Sequence, residues 1–142
     1  MVHVTLELAS KIIAATLQKR VDLGFKPLCV AVLDAGGHLV ALQREDGAST
    51  LRPQIAMAKA GGALALGVSS RKIAEMAIER PTFIASLGPI SPHGVVPAAG
   101  GVILLDADGQ VVGAVGVTGD TSDNDELCAL AGIAAAGLTV SA

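Results

Sequence analysis

Lys59 is the only charged side chain between Arg52 and Arg71, in a stretch otherwise built of apolar and small residues. A lysine in such surroundings must extend to water, pair with a carboxylate, or give up its proton and become a base or Schiff-base amine. It has no partner at helical spacing, so the alternatives are a structural pair with Glu45 or Asp46 and a role in ligand contact. Arg44, Asp46 and Gly47 follow an apolar run, where a strand end aims side chains at a cleft, and the planar fork of Arg44 suits a carboxylate. An Arg44–Asp46 pair fixing the turn is the plainer reading. His93 lies in Ser91-Pro92-His93-Gly94, ahead of Ala98-Ala99-Gly100-Gly101. Loops of this kind often line sites. An imidazole there can exchange protons near neutral pH, and the Gly100 and Gly101 amides can hold an oxyanion or carboxylate, unless His93 simply faces solvent. Together these residues predict catalytic Lys59 and His93, with substrate bound by Arg44, Asp46, Gly100 and Gly101, in one shared pocket.

The remaining polar groups carry weaker chemistry. His3 and His38 are expected at the surface. Cys29 and Cys128 have neither CxxC spacing nor a cysteine-rich framework and read as buried thiols. Asp120, Asp123, Asp125 and Glu126 lack the glycine and spacing of a calcium loop and read as a helix start, so no metal is expected. Glu75 has Arg71 at pairing distance along a helix.

Two turn-linked apolar pairs must position these groups. Asp108-Gly109 separates Val102–Leu105 from Val111–Val117, and Asp34-Ala35-Gly36-Gly37 separates Leu28–Leu33 from Leu39–Leu42. Both predict antiparallel hairpins, the first through a two-residue turn. Leu6, Ala9, Ile13 and Leu17 mark an opening helix over 5–22, closed by Gly24 and Pro27. Further helices are expected over about 51–66, from Ser70 to Arg80 before Pro81, and over 122–137, the last opened by Thr121, Ser122 or Asp123 with Glu126 completing a capping box. Residues 81–105 carry no charge except on His93, and four prolines rule out a membrane helix there, leaving a buried or pocket-lining loop with a short strand near Val95. The order α-β-β-α-α-β-β-α gives an α+β fold in which residues 1–142 form one domain, an antiparallel sheet covered by helices on both faces.

The hairpins, together with Arg44-Glu45-Asp46-Gly47-Ala48, Lys59-Ala60 and the Gly113–Gly119 segment, resemble the GlcG/HbpS family of haem-degrading domains, related to the C-terminal domain of PduO-type proteins. The likeness spans nearly the whole chain. It implies a profilin-like α-β-α sandwich and a haem-binding or iron-linked role. PduO-type domains are thought to use a histidine on the first helix, whereas residues 6–23 contain none. Iron would then fall to His93, His38, Cys29 or a methionine.

Hydrophobic residues make up 51% of 142 residues, before counting 17 glycines, which predicts a homo-oligomer. Ala56, Ala60 and Ala63 form a small-residue face suited to tight helix–helix contact. A net charge of −3, two Phe and no Trp or Tyr argue against nucleic acid. The N-terminus has no leader pattern and no membrane partner is expected, so the chain reads as cytoplasmic. Two functions follow. One is a cofactor-independent isomerase, hydrolase or lyase acting on a small carboxylate or keto acid. The other is a haem-binding or haem-degrading accessory protein. The residues recommend the first, with no stable stoichiometric haem.

Overall fold

Thr5 opens α1 (Leu6–Leu23) by accepting the Leu8 amide on its hydroxyl at 3.1 Å, and Gly24 closes it in the left-handed region at φ 69°. In the computed structural model, which describes residues 3–141, its buried stripe is Ala9, Ile12, Ile13 and Thr16, while Leu6 stays 64% exposed. Ala9 and Ile13 lie in it as the spacing predicts, with a shift toward Ile12 and Thr16. Its cause is α5 (Ser122–Ala135), whose Gly132 admits Thr16 so closely that a Cβ there would overlap the threonine hydroxyl. That hydroxyl donates to the Ile12 carbonyl at 2.8 Å, so no buried polar atom is wasted.

Both hairpins form. β1 (Cys29–Asp34) pairs with β2 (Leu39–Arg44), and β3 (Gly101–Leu105) with β4 (Val111–Thr118). The first turn is held by Asp34, whose carboxylate accepts the Gly36 and His38 amides. The second is longer than the expected two-residue turn. Residues 106–110 intervene, Asp106 accepts the Asp108 and Gln110 amides, and Gly109 alone takes positive φ, at 77°. Asp108 stays on the ordinary side, so the loop takes the wider form, which accompanies a register shift at Leu104/Leu105.

The sheet order is β2-β1-β4-β3-β5, antiparallel throughout. Val30, Val32, Val102, Leu104, Val115 and Val117 pack against Ile12, Ile13, Cys128 and Ile133 of α1 and α5. The opposite face, Cys29, Ala31, Leu33 and Ala114, meets Ala56 and Ala60 of α2 (Arg52–Leu66). Helices therefore cover both faces, as the apolar strand runs predict. The Ala56, Ala60 and Ala63 face is wholly buried inside the subunit, so it serves helix–sheet packing and not the helix–helix contact expected of it. Gly116 of β4 explains the closeness, since a Cβ there would overlap the Ala56 carbonyl.

After α3 (Ser70–Glu79) the chain forms α4 (Pro81–Leu87) and one 3-10 turn (Gly88–Ile90), where an open loop was expected. Pro81 stops one helix and starts the next, a place where its missing N–H costs nothing. No strand forms near Val95. The extra strand is β5 (Thr139–Val140), paired with β3.

Candidate functional site

Lys59 points from α2 to the start of β3, where its stem passes Gly100. A Cβ on Gly100 would lie 2.9 Å from Nζ, and its φ of 128° suits glycine. The ammonium donates to the Val117 carbonyl at 2.9 Å and to Asp125 of α5 at 3.2 Å, with both side chains at most 3% exposed. Asp125 also accepts the Asp120 amide at 2.8 Å. Burial lowers the Lys59 pKa and raises that of Asp125, each opposed by the other's charge, and nearby Arg52 pushes Lys59 further down. The partner is neither Glu45 nor Asp46. Glu45 instead accepts from Arg20 Nε at 3.0 Å and from the Leu28 amide at 2.8 Å. The Gly101 amide is spent on Ser70 Oγ at 2.7 Å, and a Cβ there would overlap the Lys59 carbonyl, so its glycine serves close packing.

His93 sits on the flank of α2. Its Cβ and Cδ2 lie against Gly61, where an added Cβ would come within 3.0 Å of both, so this mid-helix glycine makes room for the ring. Nε2 lies 2.7 Å from the Gly37 carbonyl of the β1–β2 turn. A carbonyl can only accept, so Nε2 carries a proton, and Nδ1, with no hydrogen-bond partner among the described residues, lies on the edge turned away from Gly61. Metal-ligating and base histidines are commonly oriented by such a bond. Two clefts share the ring. One, about 200 Å³, has walls from Gly37, Gly61, Leu64 and Ala65. The other, about 340 Å³, is lined by Leu51, Ile55, Ala58, Val95 and Val96.

The sequence-predicted residues thus fall into three places. Lys59, Gly100 and Gly101 meet at the buried junction, and Lys59 lines none of the clefts among the described residues. His93 stands at the α2 flank. Arg44 and Asp46 are exposed at the β2–α2 corner, where Arg44 donates to the Ala48 carbonyl at 3.0 Å instead of pairing with Asp46. Sequence reasoning missed Asp125 and Gly37, lying 66 and 56 residues from the groups they hold.

The acidic segment also divides its labour. Thr121 caps α5 by accepting the Asn124 amide at 3.2 Å, while Asp123 and Glu126 both bind Arg71, replacing the expected capping box. Glu75 pairs with Lys72, not Arg71. Burial pushes the Cys29 and Cys128 thiols up to about 11, and Cys29, fully buried in the core, lines none of the clefts among the described residues. His38 is 81% exposed and bonded to Asp34. Among the described residues, no group of three His, Cys, Asp or Glu can hold a metal ion, and no helix is long and apolar enough to cross a membrane.

Comparison with known proteins matches residues 4–134 to the family described as haem degrading protein HbpS-like. Protein GlcG of Escherichia coli strain K12 is 36% identical over 114 residues, covering 79% of this chain and 78% of GlcG. Among solved structures, HbpS superposes with a TM-score of 0.80 at 32% identity, over 94% of this chain and 90% of that one. A complex of PduOC with haem shares the fold at a TM-score of 0.86 and 22% identity, over 99% of this chain and all of PduOC.

Proposed function

The chain belongs to the HbpS-like family, and from that premise we propose that it binds haem at the α2 flank, with His93 as the iron-facing residue. The observation that carries this reading is the tethered imidazole, with Nε2–H fixed on Gly37 and Nδ1 without a protein partner, in a residue that lines two largely apolar clefts. Among the described residues His93 is also the only half-buried histidine. The residues present fit one imidazole ligand beside an apolar wall. Bound haem would supply iron-centred redox chemistry, tuned by that ligand and the polarity around it. His93 would hold the iron, Gly61 gives the imidazole its seat, and Leu51, Ile55, Val95 and Val96 would exclude water.

The proton-transfer reading draws less support. Its amine is buried, ion-paired and away from every cleft described. Each cleft is also smaller than a macrocycle needs for enclosure on two faces, which favours a site completed by a second subunit. Light scattering at micromolar concentration then gives an oligomer, and a monomer counts against this arrangement.

Absorption titration with haemin, followed by desalting, tests the reading. A Soret band that survives in the wild type and is lost in His93→Ala supports it. A band of equal strength in both proteins, or none in the wild type, overturns it.

A further inference from the structure

Away from His93, the corner between α1, β2 and α2 brings Lys26, Arg44 and Arg52 together, with Glu45, Asp46 and Asp120 around them. Lys26, Pro27, Ser49, Arg52 and Gly119 line a cleft there of about 200 Å³. Arg52 donates Nε to Ser49 Oγ at 3.1 Å and an Nη to Thr118 Oγ at 2.8 Å. Two of five guanidinium donors are so engaged, which fixes the fork and leaves three N–H groups for a ligand. Beside it Arg44 is anchored on the Ala48 carbonyl. Among the described residues none of Lys26, Arg44 and Arg52 makes an ion pair, although Arg20, Lys59, Arg71 and Lys72 all do. Of the carboxylates nearby, Asp120 accepts the Lys26 and Thr121 amides and Asn124, Glu45 is engaged by Arg20 and the Leu28 amide, and Asp46 is exposed.

The start of α2 adds to this field. Its N-cap, Leu51, offers no side-chain acceptor, and its first turn holds no acid. The positive end of the helix dipole is therefore left uncompensated at a place where α1, α3 and α5 carry a capping hydroxyl.

We propose that this corner is a small-oxyanion site, in which Arg52, Lys26 and the Ser49 hydroxyl hold a phosphate or a short carboxylate. The volume is on the scale of an anion of that size. A fixed guanidinium supplies paired N–H bonds to two oxygens, and the lysine supplies a compact charge beside them. The site is separate from the His93 clefts, which share none of its lining residues.

Calorimetric titration of the full chain with inorganic phosphate, and separately with oxalate, at low ionic strength tests the proposal. At least one anion binds, and the arm that does so identifies the preferred chemistry. Arg52→Gln weakens that binding by about tenfold and Lys26→Gln by about threefold, as expected for charge-assisted contacts. Lys11→Gln, at an exposed lysine on α1, leaves it unchanged. Should Arg52→Gln misfold because Thr118 loses its donor, the exposed Lys26 variant decides. Failure of both anions to bind at millimolar concentration overturns the site. So does equal weakening by Lys11→Gln, or wild-type binding in folded Lys26→Gln and Arg52→Gln.

Discussion

Two residues on α2 stand two positions apart and meet opposite environments. Lys59 turns into the protein and has its charge met by Asp125 and the Val117 carbonyl. Gly61, on the other flank, has no side chain and so seats His93, whose one fixed nitrogen leaves the other open. A charge buried with its partner holds the sheet and α5 together. An imidazole tied at one nitrogen and free at the other is, in the proposed reading, the group that meets the ligand. An isolated charge in an apolar stretch is therefore weaker evidence of a site than a small residue that clears space for a ring.

The largest expected effect separates these two regions. Asp125→Ala leaves the Lys59 ammonium buried without its counter-charge and lowers stability by about 3–5 kcal/mol in denaturant unfolding. Replacing both, as Lys59→Met with Asp125→Leu, recovers most of that loss, because well-packed apolar pairs often match buried ion pairs. A double variant as unstable as Asp125→Ala would show that the junction needs its charges for something beyond mutual compensation.

His93→Ala is milder, costing about 0.5–1.5 kcal/mol for the bond to Gly37, while removing haemin binding. Gly61→Ala sharpens the contrast further. The new methyl favours the helix by about 1 kcal/mol but comes within 3.0 Å of His93 Cβ and Cδ2. Stability stays near the wild type while haemin affinity falls, because the ring must leave its seat. Unchanged affinity in a folded Gly61→Ala protein would break the link between glycine and imidazole.

The smallest effect is a pH dependence. Amides from Gly36 and His38, and the His38 ring, hold Asp34 below the ordinary aspartate value of 3.8, and the Lys26 and Thr121 amides do the same for Asp120. Their contribution is present above that value and is lost as pH falls below it through the folded-state pKa values. Acid unfolding monitored by circular dichroism is accordingly shallower in Asp120→Asn. A steeper profile would contradict the assignment.

Much of the scaffold was legible because it rests on local chemistry. Asp34 and Gly37 turn the first hairpin, Thr121 opens a helix, and Gly24 closes one, all within a few residues of what they organise. β5 was not legible, since two residues become a strand only through β3. The site divides in the same way. Pro92 and Gly94 marked the His93 loop, but its anchor at Gly37 comes from another hairpin. Lys59 was conspicuous for lacking a nearby partner, and Asp125 was hidden in a segment whose four acids serve three different ends. The expected pocket joining Arg44, Lys59 and His93 rested on residue type, while the directions of their side chains depended on contacts far along the chain.

The central claim is that His93 holds Nε2–H on Gly37 and offers Nδ1 to the ligand. Nitrogen-15 NMR of histidine-labelled protein, recorded alone and with gallium protoporphyrin as a diamagnetic stand-in for haem, reads both nitrogens directly. The expected result is a neutral His93 protonated at Nε2, with a large Nδ1 shift when the porphyrin is added and little change at His3 and His38. A ring protonated at Nδ1 in the free protein, or an Nδ1 resonance indifferent to the porphyrin, would contradict it.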